Sequence, residues 1–173
     1  MSHRRIEVLR GVWGLAGLAA PRRLLAVAGG DPDDQPSRAV MRILGARQLA
    51  QAGLSGLSPT PAVLAMGVWV DAAHAVSALG FAALRPAYAR PALVDSAIAV
   101  GWAAFGYDDL RGGGRGEGEE LRSRLGRTVL GVVPGGSPLL AQADQARRRS
   151  GAGGGGGGRA MDGIATASTG LRR

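Results

Sequence analysis

Apolar residues dominate the first 107 positions in long stretches, and polar residues fall mostly between them. Residues 6–28 form one such stretch, interrupted by "PRR" at 21–23. A bilayer crossing takes about 20 apolar residues. The half before Pro21 is too short for that, so the segment either spans as one kinked helix or ends at Pro21 and continues along an interface. "GGDPDDQPS", 29–37, carries the Gly, Pro and Asp of a loop, and Ser37 is placed to cap the next helix. That second helix is predicted over 38–57, with a tight connection at "SPTP", 58–61, where Thr60 is the N-cap and Pro61 the first helical residue.

Residues 62–84 contain one acid, one His and no Arg. As a helix they extend about 35 Å, enough for a hydrocarbon core of ~30 Å. "RPAYAR", 85–90, turns the chain, and residues 91–107 make the last apolar helix. Beyond Asp108-Asp109 the pattern breaks up. "RGGGRGEGEE" reads as a linker, and "LRSRLGRTVLGVV" as a short amphipathic helix suited to a membrane surface. Residues 134–173, with a six-Gly run, are predicted to be a disordered Gly/Arg-rich tail. The expected fold class is all-α: an antiparallel bundle of four transmembrane helices, or three if the first segment lies at the interface. The expected organisation is a helical membrane domain over 6–107, a linker over 108–133 and the tail.

Composition supports a bilayer more than a soluble core. Apolar residues are 46% of the chain but aromatics only 4%, so Ala, Leu, Val and Gly supply most of the apolar surface. Small residues suit membrane helices, which associate by close packing. The mean hydropathy of +0.06 averages this region with a polar last third. All 21 basic residues are Arg, and the formal charge is +8. They sit beside apolar runs and in the tail, as membrane-flanking charge does, so no nucleic-acid partner is expected. The bilayer is the expected partner, with another protein or a second copy of the chain left open. The expected place is the cell membrane, as a multi-pass protein. The competing class is a soluble helical protein with small residues in a tight core.

Most reaction chemistries find no residues to use. With no Cys there is no thiolate catalysis, Cys-ligated zinc, disulfide or palmitoylation. No G-x-S-x-G appears, and Ser77 comes after His74 at helical spacing rather than in a nucleophile elbow. "GGGRGEG" is preceded by no strand and opens into acids, unlike a phosphate loop. The basic start resembles a signal peptide, but Pro21 directly after Ala19-Ala20 makes a poor cleavage site. Asp71 and His74 are one DxxH pair, and the other His is His3, so no metal and no cofactor are expected.

A polar set remains inside the apolar stretches. Gly67, Asp71, His74 and Ser77 share one helix stripe. An ionised Asp in mid-bilayer costs roughly 2.5–3.5 kcal/mol, so this stripe must face other helices or water. The preceding helix offers Arg47, Gln48 and Gln51. The expected arrangement joins Arg47 to Asp71 and puts Gln48 or Gln51 on His74. Asp95, one turn after Pro91, is explained by the helix dipole. The polar centre is either a lock that fixes helix pairing or a site for a small ligand or proton, using Arg47, Asp71 and His74.

The opening "RGVWGLAGLAAPRRLL", the Asp/Pro loop, "RILGARQLAQAGL" and "VWVDAAHAVSAL" together resemble a group of small uncharacterised integral membrane proteins of high-GC bacteria. Arg42, Gly45, Arg47, Leu49 and, offset by a residue or so, Gly53 resemble that group's RxxGxRxLxxG pattern, and Asp71 to Ala75 its next helix centre. The resemblance covers roughly residues 8–107. It implies a four-helix membrane protein and no particular activity.

Overall fold

A computed structural model describes residues 3–55, 59–112 and 121–154, and these are helical apart from short connections. The helices are α1 (His3–Ala19), α2 (Pro21–Val27), α3 (Gln35–Ser55), α4 (Pro61–Leu84), α5 (Ala89–Arg111), α6 (Leu121–Val132) and α7 (Gly136–Gly154), with a 3₁₀ turn at Pro86–Tyr88 before α5. No strand occurs among the described residues.

Pro21 ends the first helix rather than bending it. Ala20 leaves helical geometry at φ −133°, ψ 48°, and Pro21 opens α2 at a position where its missing N–H costs nothing. α3 starts earlier than the pattern suggests, because Asp34 and not Ser37 is its cap. The Asp34 carboxylate accepts the Ser37 backbone N–H at 2.9 Å, the usual N-cap bond to the third helical residue. Thr60 does precede Pro61 at the start of α4, but its hydroxyl makes no cap bond. It lies 2.8 Å from Ser123 Oγ of α6 instead.

The helices pair antiparallel. α1 packs on α3 through glycines. A Cβ on Gly45 would come within 2.7 Å of Gly14 O, and one on Gly17 within 3.1 Å of Gly45 Cα. Only hydrogens fit at this crossing, which lets the two backbones touch. α4 and α5 form the second pair, joined by contacts such as Ser96 Oγ donating to Ala75 O at 2.9 Å. The 28–34 loop and the 85–91 turn share one end, where Gly30 meets Pro91.

The other end is capped by α6 and α7. Leu64, Ala65, Leu110, Leu130, Ala143 and Ala146 form a small buried core there, with Trp69 and Leu139 packed against it. Arg122 reaches Leu54 O at 3.1 Å, Trp69 Nε1 donates to Pro134 O at 2.9 Å, and Arg127 pairs with Asp144 at 2.8 Å.

Two expectations about this region are corrected. α7 is a 19-residue helix where the sequence pattern predicts disorder from 134 onward. Ala143 and Ala146, one turn apart, bury against Leu130 and Leu64, so the docking surface rather than local composition orders it. The linker assignment from 108 is also too early, since α5 continues to Arg111. α6 is helical, but it packs on α4 and α7 rather than standing apart from the bundle. The rest of the tail, from 155, lies outside the described residues, as do 113–120 of the linker. Among the described residues α4 alone, with 24 residues, is both long and apolar enough to cross a membrane.

Candidate functional site: a buried carboxylate and an open cleft

Asp71 stands midway along α4 with a side chain that is 0% exposed. Two guanidiniums from the first helix pair reach it. Arg10 of α1 donates to Oδ2 at 2.9 Å, and Arg47 of α3 to Oδ1 at 3.0 Å. Gln51, one turn beyond Arg47, donates to Oδ1 at 3.4 Å. Arg47 also donates to Val70 O at 3.2 Å, which ties it to the α4 backbone. Such charge-assisted bonds offset the loss of hydration that would otherwise expel a buried carboxylate.

Arg10 is held in turn. Its side chain is 6% exposed. It donates to Gln48 Oε1 at 3.4 Å, and its guanidinium lies 5.1 Å from the Trp102 ring centroid on α5. This puts a cation on an aromatic face inside the bundle, where such contacts gain from desolvation. Glu7, one turn before Arg10, is buried beside it. One cluster therefore draws on α1, α3, α4 and α5.

The structure brings Arg47, Gln51 and Asp71 together and sets Gln48 one residue away, on Arg10. His74 is not part of this group. Its Nε2 lies 2.7 Å from Asp95 Oδ2, so the carboxylate selects the tautomer with a proton on that nitrogen. The expectation that Gln48 or Gln51 serves His74 is therefore corrected: both amides are drawn to the Arg10–Asp71–Arg47 charges. The dipole explanation of Asp95 is corrected as well. α5 begins at Ala89, which puts Asp95 past its first turn and opposite His74. Ser77 donates to Ala73 O at 2.8 Å within its own helix and joins neither group.

Arg10 escapes a reading of the sequence because it lies in the basic N-terminal stretch and looks like flanking charge. A signal exists: it is the only Arg between Arg5 and Arg22, with apolar neighbours on both sides. On the α1 helix it comes three residues after Glu7, a spacing that puts both on one face.

His74 and Asp95 face a cleft of about 530 Å³ between α2–α3 and α4–α5. Its walls are mainly apolar, from residues such as Leu25, Leu44, Ala78 and Ala92, and Arg85 and Tyr88 line it at the loop end. The two polar groups thus differ in access: Asp71 and Arg10 are closed off, with Arg47 at the edge of the cluster, and the His74–Asp95 pair borders open space.

The outside of the bundle reverses the usual distribution. Val8, Leu9, Val12 and Leu15 of α1, Ile43 of α3, Val76, Leu79 and Leu84 of α4, and Leu93, Val100 and Phe105 of α5 are all exposed. Charges occupy the interior at the same level. No protein-family model, curated protein or solved structure matches the chain.

Proposed function

We propose that this chain is a small multi-pass membrane protein, a non-catalytic membrane component whose polar centre locks two helix pairs together. The observation that carries the proposal is the inversion around Asp71. A fully buried carboxylate with two arginines lies inside helices whose outer faces are exposed Val, Leu and Phe. In water that exterior would leave many large apolar side chains exposed together, which soluble monomers usually avoid. In lipid it is the expected surface, and interior charge is then confined to helix contacts.

The lock has a clear mechanical sense. α1 and α3 hold each other through glycine contacts, and α4 and α5 through a long side-by-side packing. Between the pairs, Asp71 is the common acceptor for donors from both α1 and α3. The cluster fixes both the partner and the register of the two pairs, a use attested for buried polar groups. On this reading α1, α3, α4 and α5 cross the membrane. The 17 residues of α1 extend about 25 Å, which matches a bilayer thinned locally around them.

A carbonate wash of isolated membranes tests the first part. The chain should stay in the pellet, and its release into the supernatant would remove the membrane reading. A second function, binding of a small ligand, is favoured by one observation: the His74–Asp95 pair opens onto a cleft whose volume is in the range of small-molecule sites.

A further inference from the structure

We infer that the cleft between α2–α3 and α4–α5 takes one acyl chain of an anionic phospholipid, with the phosphate held at its mouth by Arg85. The inference rests on the membrane reading above. Three features of the cleft carry it.

The first is its length. From His74 at the inner end to Arg85 at the mouth, α4 advances by roughly 16 Å. One leaflet of hydrocarbon is about 15 Å deep, half of a ~30 Å core. The cleft therefore runs from headgroup level to mid-bilayer.

The second is its opening. Val40 and Phe81 line the cleft and are also 54% and 48% exposed. The lining is thus continuous with the apolar exterior, and a chain can enter sideways from the bilayer without crossing a polar rim. At the inner end His74 and Asp95 hydrogen-bond each other, so the chain terminus meets polar groups that already have a partner.

The third is the charge at the mouth. Arg85 is exposed and has no ion-pair partner among the described residues. The acids of the neighbouring loop are engaged elsewhere. Asp33 pairs with Arg22, Asp31 accepts a backbone N–H, and Asp34 caps α3. Tyr88 adds a hydroxyl on the same rim. A free guanidinium with a phenol beside it, at headgroup depth, suits a phosphate.

Native mass spectrometry of the full chain released from detergent micelles provides the test, with phosphatidylglycerol, phosphatidylcholine and glycerol phosphate as separate probes. Phosphatidylglycerol should be retained about fivefold better than phosphatidylcholine, the ratio that one Arg near ~1 kcal/mol gives. Arg85→Gln should erase that preference and leave residual binding of both lipids. Ala92→Phe, which fills the cleft, should remove both, with Ser77→Phe as an independent filler should the first fold poorly. Equal retention of the two lipids by the unaltered chain would overturn the inference. So would a preference indifferent to Arg85, or displacement of the lipid by glycerol phosphate alone. These outcomes are separate from the membrane reading, which the carbonate wash decides without any bound lipid.

Discussion

The two halves of α4 solve opposite problems. From Pro61 to Val68 nearly every side chain is buried, against α5, α6 and α7, and the surroundings are apolar. From Asp71 to Leu84 the helix buries a carboxylate and small alanines while Val76, Leu79 and Leu84 look outward. The first half is covered by apolar neighbours on α5, α6 and α7, whose outer faces carry arginines beside exposed Leu121, Leu125 and Val132. The second half has polar groups inside and apolar groups outside. One helix therefore passes from one packing regime to the other within about three turns. A uniform apolar sequence does not define a uniform environment. The neighbours of each half decide it.

The largest expected effect is at Asp71. Asp71→Leu leaves two guanidiniums facing each other without their acceptor, at a cost of roughly 3–5 kcal/mol. Folded yield and melting temperature in detergent should fall sharply. Arg47→Leu should cost less, because Arg10 still neutralises the carboxylate. Arg47→Leu with Asp71→Leu should not restore stability fully, since Arg10 remains buried without its acceptor on α4. The triple change that also converts Arg10 to Leu should recover only part of it, because Glu7 then stays buried without the Arg10 charge beside it. Additive losses across this series would mean that the three residues do not act as one unit.

Next comes the half of α4 packed on α6 and α7. Leu130 is fully buried on Leu64 and Leu110. Leu130→Ala opens a cavity in a small core, which typically costs roughly 2–5 kcal/mol. The loss should be local: α6 and α7 should become open to limited proteolysis while the α1–α5 bundle keeps its melting behaviour. If the bundle melts earlier by the same amount, the two halves of α4 are one cooperative unit and the comparison fails.

Gly45→Ala addresses the first helix pair. Its new Cβ would meet Gly14 O at 2.7 Å and Leu18 N at 3.0 Å, both backbone atoms of α1 that no rotamer can move away. Overpacking of this kind costs roughly 1–3 kcal/mol. A spin-label distance between α1 and α3 should lengthen, and Arg10 should lose its line to Asp71. An unchanged distance would show that the glycine contact does not set the spacing.

The helices are legible in the sequence because their apolar runs are long and the breakers between them are strong. Pro21, the Asp/Pro loop and Thr60-Pro61 each mark a boundary that sterics nearly dictate. Part of the polar centre is legible for a related reason: a lone acid in an apolar run demands a partner, and Arg47 stands within reach on the preceding helix. Arg10 is not, because helical periodicity gives the face of a residue and not the depth at which its helix is set. The His74–Asp95 pair is hidden by a second, local explanation for Asp95, and only the start of α5 at Ala89 removes it. α7 is hidden because its stability is tertiary. "PLLAQADQARRR" has one narrow apolar stripe, and a buried site for Ala143 and Ala146 is needed to hold it.

The smallest expected effect is at His74, and it sharpens the distinction between a closed cluster and an open cleft. His74→Phe removes one hydrogen bond to Asp95 and leaves the Asp71 cluster intact. Hydrogen bonds between membrane helices are worth about 0.6 kcal/mol on average and at most about 1.7. Asp95 is 26% exposed at its side chain, so water entering the cleft can solvate the carboxylate that has lost its partner. The melting temperature in detergent should therefore drop only slightly, far less than for Asp71→Leu. Asp95→Asn should behave alike, because an amide still accepts the imidazole N–H, and the double change should cost no more than the larger single one. A loss at His74 comparable to that at Asp71 would mean that water does not reach the cleft and that the two polar groups form one buried network.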